Sequence, residues 1–337
     1  MNTPALPLNA YKVLLLCTSL VVFDQFTVES VLKDPLYSNC VRDLDVVELW
    51  SGVGTVVAAG AALGLQALSF DGDCVPGDAE NAEDTTSRVG FLQALSYIMR
   101  LKIGGLLHMA PACSSFGFAN SNRFKRCGPD FEGDLLYDKV CEGNLIATIS
   151  AFFMLLAHMR NVYASAENPS RSLYFNFRPV RMVFDALGLT YQVTDGCRFS
   201  NMRKGNRFLK SFMFAATGPW INHISRECNC PGRIHKQLMI KTAAGSRRGT
   251  PDLKKSQVYP KALGAAIVRA WTESANPTLP KPAKPSAKYM KKTLHKPAKP
   301  SAKSMNKTLP KPAKPSTKSV KKTLPKTAKP SSRSAKK

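Results

Sequence analysis

The stretch Asp45-Val-Val-Glu-Leu-Trp-Ser-Gly-Val-Gly54 decides which fold class the sequence indicates. Its first half, Asp45–Leu49, is a short apolar run with a Val pair, which is typical of a buried strand. Gly52 and Gly54 follow, and the Ala-rich segment Val56–Leu65 has the composition of a helix. The stretch therefore predicts a strand, a glycine turn and a helix, and the backbone amides of such a turn can approach a ligand closely.

The alternation of strand and helix continues along the chain. Further strands are predicted at 66–70, 105–109, 162–166, 190–194 and 211–216. Further helices are predicted at 87–101, 145–159, 179–187 and 259–271. This alternation indicates an α/β fold with a mostly parallel sheet that is covered on both faces. One such domain is predicted over residues 40–275, after an N-terminal helical segment at residues 1–39.

Two polar segments follow strands of this sheet. Cys113 lies in a loop after the strand at 105–109, and Glu167-Asn168-Pro169 follows the strand at 162–166. A loop cysteine can act as a thiolate nucleophile, and a carboxylate at a strand end in a pocket can share a proton with a substrate. The alternatives are a buried structural cysteine and a Glu-Asn-Pro turn at the start of a helix.

Taken in order, the glycine turn, the cysteine loop and the Glu-Asn segment resemble the catalytic frame of the cytosine-5 DNA methyltransferases. The resemblance implies a Rossmann-like methyltransferase fold that binds S-adenosyl-L-methionine. The string Leu-Trp-Ser-Gly-Val-Gly is similar to the cofactor motif of that family. The implied cofactor residues are Glu48, Ser51, Gly52, Gly54, Asp71 and Asp84, with Asp73 as an alternative to Asp71. A relic of the fold without a ligand is the other interpretation.

The same resemblance assigns chemistry to the two polar segments. Cys113 would add to carbon 6 of cytosine, and Glu167 would hold the ring nitrogen and the amino edge of the base. The sequence departs from the family at two positions. Ala112 stands where proline normally precedes the cysteine, and Pro169 stands where the family has valine.

A third family element, a Gln-x-Arg-x-Arg strand that orders the active site, is not present in that form. Arg198 and Arg207 are predicted to complete the catalytic site, with Arg203 as a further candidate in the same region. Arg123 and Arg126 follow the cysteine loop, and contact with phosphates is the role predicted for them.

A cluster of histidine and cysteine marks a small insert at residues 220–250. His223, Cys228, Cys230 and His235 could form a structural zinc site, because Zn²⁺ prefers four nitrogen or sulfur ligands. The Cys-x-Cys spacing is tighter than the usual Cys-x₂-Cys, so a surface loop without metal is the alternative.

The nine cysteines and the apolar N-terminal segment bear on the compartment. The number is odd and shows no small-domain disulfide spacing, which favours a reducing compartment. The run Val13–Phe23 is too short to span a membrane and has no clear signal-peptide cleavage site. It is predicted to form a helix that packs on the core, and no membrane association is expected.

Residues 278–337 consist of four 15-residue repeats that begin at Thr278, Thr293, Thr308 and Thr323. The repeats carry 19 Lys and Arg residues and no Asp or Glu, so only +6 of the net charge of +25 belongs to residues 1–277. Abundant Pro and few large apolar residues predict a disordered tail. Such a tail binds polyanions through counterion release. Nucleic acid, DNA rather than RNA, is the expected partner, and the nucleus or an organelle nucleoid is the expected location.

Two functions are compatible with these features. The first is methyl transfer to cytosine in nucleic acid through a covalent adduct of Cys113. The second is a catalytically inactive module of the same fold that binds nucleic acid or chromatin, with the tail as its electrostatic anchor. A variant of the first keeps the fold and takes RNA or a small molecule as substrate.

Removal of residues 278–337 is expected to weaken binding to DNA and to flatten its salt dependence, because the tail holds +19 of the net charge of +25 and its cations displace counterions from phosphates. The measurement is the slope of log K against log salt concentration for the full chain and for a chain that ends at residue 277. A Gly/Ser linker of the same length as the tail is the matched control. An unchanged slope would show that the tail is not the electrostatic anchor.

Overall fold

A computed structural model describes residues 28–35, 39–71, 84–127, 131–200, 207–231, 235–241 and 247–275. All described residues belong to one compact unit, Met1–Pro282. The helix predicted at Val13–Phe23 and the repeats at 278–337 lie outside the described residues.

A six-stranded sheet forms the centre of the described part of this unit. The strands of this part, in chain order, are β1 (Leu44–Leu49), β2 (Ala67–Phe70), β3 (Leu101–Met109), β4 (Tyr163–Pro169), β5 (Thr190–Asp195), β6 (Arg207–Phe208), β7 (Ser211–Ala216), β8 (His235–Lys236), β9 (Met239–Lys241) and β10 (Arg247–Gly249). The order across the large sheet is β2-β1-β3-β4-β7-β5. Strands β1 to β4 pair in parallel, and β7 runs antiparallel to both β4 and β5. The predicted α/β class with a mostly parallel sheet is confirmed.

Helices cover both faces of the sheet. They are α1 (Val28–Lys33), α2 (Thr55–Ala61), α3 (Arg88–Met99), α4 (Asp138–Met159), α5 (Arg178–Ala186), α6 (Pro251–Lys255) and α7 (Lys261–Ala275). Side chains alternate along a strand, so the neighbours Val46 and Val47 point to opposite faces and belong to separate cores. The core of Val47 contains residues of α3, α4 and α5, and the core of Val46 contains residues of α2 and α7.

The elements predicted between residues 45 and 271 are confirmed, and their bounds differ at several ends. Strand β3 begins at Leu101 rather than at residue 105, because Leu101 pairs with Leu44 before a register shift in the β1–β3 ladder. Gly104 lies in this early part with a φ of 77°. Helix α3 starts after Ser87, whose side chain accepts a hydrogen bond from Gly90 N at 3.0 Å.

Helix α4 is long and apolar enough to cross a membrane by length and composition alone. Its most apolar window has a mean hydropathy of 1.7, and 72% of that window is buried within the protein. Phe153, Met154 and Leu156 of this helix are fully buried in the core that it shares with α3 and α5. Burial in a core therefore accounts for the apolar sequence.

The contact between α2 and α7 depends on a glycine. A Cβ atom at Gly264 of α7 would lie 2.5 Å from Thr55 O and 2.7 Å from Thr55 Cγ2 of α2. Since real Cβ atoms do not approach backbone oxygen so closely, Gly264 is what allows the two helices to meet at this distance.

Gly264→Ala is expected to lower the free energy of unfolding by about 1–3 kcal/mol, because the added methyl group forces α7 away from α2. Helix propensity alone predicts the opposite sign, a gain of up to about 1 kcal/mol. The measurement is urea denaturation followed by circular dichroism. Ala262→Ser adds one atom at an exposed position of α7 and should change the stability by less than about 0.5 kcal/mol. Equal or higher stability of Gly264→Ala would contradict the close contact.

Candidate active site

Three neighbouring parallel strands end at one edge of the sheet. Leu49 of β1 lies opposite Met109 of β3, and Met109 lies opposite Ala166 of β4. After β1 the chain forms β2 on one side, and β3 then returns on the other side of β1. A reversal of this kind opens a crevice at the carboxyl ends of the strands, where open α/β folds bind ligands. The glycine turn, the cysteine loop and the Glu-Asn segment all meet at this edge.

The glycine turn has the conformation that its residues require. Gly52 and Gly54 have φ values of 56° and 63°, in the left-handed region that favours glycine. Gly52 is exposed, and a Cβ atom built on it would lie 4.0 Å from Asp71 Oδ2. The Asp71 carboxylate, at the end of β2, is therefore beside the turn, as the cofactor prediction requires. Ser51 lies in the same turn, and its N donates to Phe70 O at 3.3 Å.

Glu48 holds this turn in place. Its Oε2 accepts hydrogen bonds from Val56 N at 3.0 Å and from Val57 N at 2.9 Å, in the first turn of α2. Burial raises the pKa of Glu48 to about 7, although the two amides act to lower it, and the nearby Asp71 raises it further. The carboxylate that was predicted to line a cofactor pocket thus caps the helix that follows the turn.

Asp84 also has a local structural role. Its Oδ1 accepts from Thr86 N at 2.8 Å and from Thr86 Oγ1 at 2.7 Å. The neighbouring Thr85 accepts a hydrogen bond from Trp50 Nε1 at 3.2 Å, which joins the start of α3 to the glycine turn. The predicted cofactor residue Asp84 is therefore near the turn, with its carboxylate bound to Thr86. Asp73 lies outside the described residues.

A buried arginine fixes the cysteine loop. Arg126 is 1% exposed, and it donates to Ser115 O at 2.9 Å and to Ser115 Oγ at 2.8 Å. It also donates to Phe131 O, Glu132 O and Asn144 Oδ1, and its guanidinium carbon lies 3.7 Å from the ring centroid of Phe116. The prediction that Arg126 contacts phosphates is wrong, because its guanidinium is buried and occupied by the loop. Arg123, in contrast, is exposed.

The cysteine loop and the Glu-Asn segment are directly connected. Asn168 Nδ2 donates to Pro111 O at 2.9 Å, two residues before Cys113. Burial raises the pKa of the Cys113 thiol, and the nearby Glu167 raises it further, whereas Lys210 lowers it. Cys113, Glu167 and Lys210 are therefore close enough to act on one another electrostatically.

Glu167 has a buried carboxylate with one unsatisfied oxygen. Its Oε2 accepts a hydrogen bond from the hydroxyl of Tyr259, and the residue is 5% exposed. Within the described part of the chain, Glu167 Oε1 and Asn168 Oδ1 are buried without a hydrogen-bond partner. Burial raises the pKa of Glu167 to about 7, against the opposing effects of Lys210 and Tyr259. Buried acceptors of this kind are available to donor groups of a ligand.

Lys210 and Tyr259 belong to the site although neither was among the predicted site residues. Lys210 directly precedes β7, and its Nζ lies 4.9 Å from the ring centroid of Phe212. Tyr259 precedes α7, and its ring centroid lies 5.2 Å from that of Phe212. The signal for Lys210 in the sequence is a cation immediately before the strand at 211–216, but the arginine element of the family resemblance points to arginines in that region.

The two arginines predicted to be catalytic lie elsewhere. Arg198 donates to Asn229 Oδ1, and Arg207 Nη1 donates to Cys230 Sγ at 3.8 Å. Both therefore contact the Cys-x-Cys segment, and the cation that acts on Cys113 is Lys210. The physical reason is that Arg207 belongs to β6, which pairs with β8 and not with the large sheet.

The histidine and cysteine cluster has a different composition from the predicted one. Ligand atoms of Cys197, Cys228, Cys230 and His235 all lie within 4.8 Å of one another. His223 is not in this group, since it lies exposed in the 3₁₀ helix Pro219–Ile224. Cys197, which was not predicted, takes its place because the 3₁₀ helix Gly196–Phe199 follows β5 directly.

No family model matches the chain, and no curated protein matches it. The likeness to cytosine-5 methyltransferases therefore depends on the motifs and on the way in which the fold brings them together.

The protein is expected to lose stability as the pH rises from 4.5 to 7, and the substitution Glu167→Gln should make this loss smaller. The folded-state pKa is raised by burial from an ordinary value of 4.5 to about 7, so the buried acid is favourable below pH 4.5 and its stability contribution is lost as the pH rises to 7. At about 1.4 kcal/mol per pKa unit, the loss due to Glu167 is about 3 kcal/mol. The measurement is the free energy of unfolding of both chains across this range.

Glu273→Gln, at an exposed position of α7, is the matched control and should leave the pH dependence unchanged. The pKa of Glu48 is also raised, so its contribution to the free energy of unfolding declines over the same pH range. Part of the pH dependence of stability therefore remains in Glu167→Gln. Parallel curves for Glu167→Gln and the unmodified chain would contradict the raised pKa.

Proposed function

We propose that the chain methylates cytosine in nucleic acid, with DNA as the preferred substrate, through a covalent adduct of Cys113. The observation that carries the proposal is the grouping of the Cys113 thiol, the Glu167 carboxyl and the Lys210 cation at one edge of the sheet, beside the glycine turn. The order and pairing of the strands are compatible with a Rossmann-like methyltransferase domain.

The glycine turn and Asp71 fit a bound S-adenosyl-L-methionine. Because Gly52 and Gly54 have no side chains, a ligand can approach their backbone amides beside the Asp71 carboxylate. This carboxylate can accept hydrogen bonds from ribose hydroxyls. Gly52, Gly54 and Asp71 would hold the cofactor, and Glu48 would keep the turn in shape from the start of α2. When bound, the cofactor supplies a methyl group on a positively charged sulfur.

Carbon 5 of cytosine is too weak a nucleophile to accept a methyl group unaided. The Cys113 thiolate forms a bond to carbon 6, which moves electron density to carbon 5. Glu167 is protonated in part near neutral pH and donates its proton to the ring nitrogen, so no charge is left on the base. Lys210 favours the thiolate and opposes the effect of burial on it. Once carbon 5 carries the methyl group, its proton passes to solvent and the thiolate leaves carbon 6. The ring nitrogen returns its proton to Glu167, so the aromatic ring and both side chains are restored.

A cavity beside the cysteine loop supports nucleic acid as the substrate. It has a volume of about 400 Å³ and lies next to the loop, since Leu173 N of its wall donates to Phe116 O at 2.9 Å. Phe118, which is 59% exposed, and the exposed Arg171 both line it. An exposed aromatic ring can stack on a base and an arginine can bind phosphate, and the two together are typical of sites for nucleic acid. A target base must also leave the helical stack to reach a loop cysteine.

A module that binds nucleic acid without methyl transfer is the second candidate. The observation that favours it is the partial burial of Cys113, which raises the pKa of the thiol, whereas a nucleophile benefits from a lowered pKa. Lys210 only partly offsets this effect. Such a module would bind the cofactor and DNA without turnover.

The test is transfer of labelled methyl from S-adenosyl-L-methionine to DNA and to RNA by the full chain. Label on cytosine is expected, and Cys113→Ala should abolish it because the bond to carbon 6 cannot form. Cys127→Ala, a substitution of an exposed cysteine near the loop, is the matched control and should keep the activity.

DNA with 5-fluorocytosine provides a second readout. The fluorine on carbon 5 cannot leave as a proton does, so the bond from Cys113 to carbon 6 should persist as a complex that survives denaturation. Cofactor binding without label and without this complex would reject the methyltransferase and favour the binding module.

A further inference from the structure

We propose that Cys197, Cys228, Cys230 and His235 bind one zinc ion in a structural site. The site lies apart from the methyl-transfer chemistry, and the proposal does not depend on that function. Three thiols and one imidazole form a Cys₃His set, which is one of the usual ligand sets of structural zinc.

The geometry of the four residues suits a tetrahedral ion. With a zinc–sulfur distance of 2.3 Å, neighbouring ligand atoms in a tetrahedron lie about 3.8 Å apart. Cys228 Sγ lies 3.7 Å from His235 Nε2, and all four ligand atoms lie within 4.8 Å of one another. Small rotations of the side chains therefore bring the set to coordination distance.

The four residues come from three separate parts of the chain that the backbone brings together. Asp195, the last residue of β5, accepts a hydrogen bond from Cys228 N at 2.7 Å through Oδ2. The pairing of β6 with β8 places His235 opposite Arg207. These backbone contacts already hold the three parts of the chain in position around the cluster.

The described segments around the cluster have little regular secondary structure. The segment at 225–231 has no regular secondary structure, and most of its residues are exposed. The strands β6 and β8 are only two residues long. A metal ion that joins such segments supplies the cross-link that a small apolar core cannot provide.

Positively charged side chains near the cluster would balance the negative charge of the zinc site. Three thiolates and Zn²⁺ carry a net charge of −1, which needs a nearby cation. Arg207 Nη1 lies 3.8 Å from Cys230 Sγ, and Arg198 binds Asn229, the residue between the two cysteines. The two arginines that were expected at the catalytic cysteine therefore act as the outer partners of the metal site.

The site is connected to Lys210. Gly196 N, next to Cys197, donates to Lys210 O at 2.9 Å. Asp195 also accepts a hydrogen bond from Ser211 Oγ, which follows Lys210 in the chain. The ion would thus stabilise the strand ends from which Lys210 extends towards Cys113.

The experiment measures zinc in the full chain, purified without a histidine tag, by mass spectrometry of the metal. About one zinc per chain is expected, and Cys197→Ser, Cys230→Ser and His235→Ala should each reduce it to near zero. His223→Ala and Cys141→Ser are matched controls that should keep one zinc, since both residues lie outside the cluster. Zinc that is absent from the unmodified chain, or lost in His223→Ala, would overturn the proposal.

A second measurement does not require the variants to fold. In the unmodified chain, Co²⁺ exchanged into the site should give the visible absorption of a tetrahedral ion with thiolate ligands. A chelator should remove the ion and make three more cysteines reactive towards a thiol reagent, identified as Cys197, Cys228 and Cys230 by peptide mass spectrometry. An octahedral Co²⁺ spectrum, or a disulfide between two of the three cysteines with no metal bound, would overturn the proposal.

Discussion

The register of three parallel strands is the constraint on which the candidate site depends. Leu49, Met109 and Ala166 lie side by side, so the glycine turn, the cysteine loop and the Glu-Asn segment start at the same level. A shift of one residue in either ladder would turn every side chain of a strand to the other face. The alternation of Val46 and Val47 between two separate cores opposes such a shift, because each face is already covered by helices.

The same register places a buried polar row on one face of the sheet. Glu48 lies beside His108, His108 lies beside Ser165, and His108 Nδ1 is 2.9 Å from Ser165 Oγ. Burial lowers the pKa of His108 to about 3, so the imidazole is neutral, and Glu167 follows on the same face with its bond from Tyr259. Buried polar groups cost stability, and a row of them with shifted pKa values at a crevice is typical of a functional site.

Arg126 holds the cysteine loop in a fixed conformation. Ala112, directly before Cys113, does not restrict the backbone as a proline ring would. The buried guanidinium supplies rigidity by another route, because it binds both the backbone and the hydroxyl of Ser115 and stacks on Phe116. Gly143 of α4 makes room for this arrangement, since a Cβ atom there would lie 2.1 Å from Ser115 Oγ.

The sequence by itself determined the α/β alternation, the approximate positions of the main helices and strands, and the placement of Cys113 after β3 and of Glu167 near the end of β4, because apolar periodicity and glycine turns are local properties of the chain. Only the tertiary structure decided which distant residues join them. Lys210 reaches the site because β7 lies between β4 and β5, and Tyr259 reaches it because the segment before α7 approaches Glu167. Cys197 meets Cys228 because Asp195, at the end of β5, accepts a hydrogen bond from Cys228 N. Such contacts between distant segments depend on the packing of the whole chain, which local periodicity does not encode.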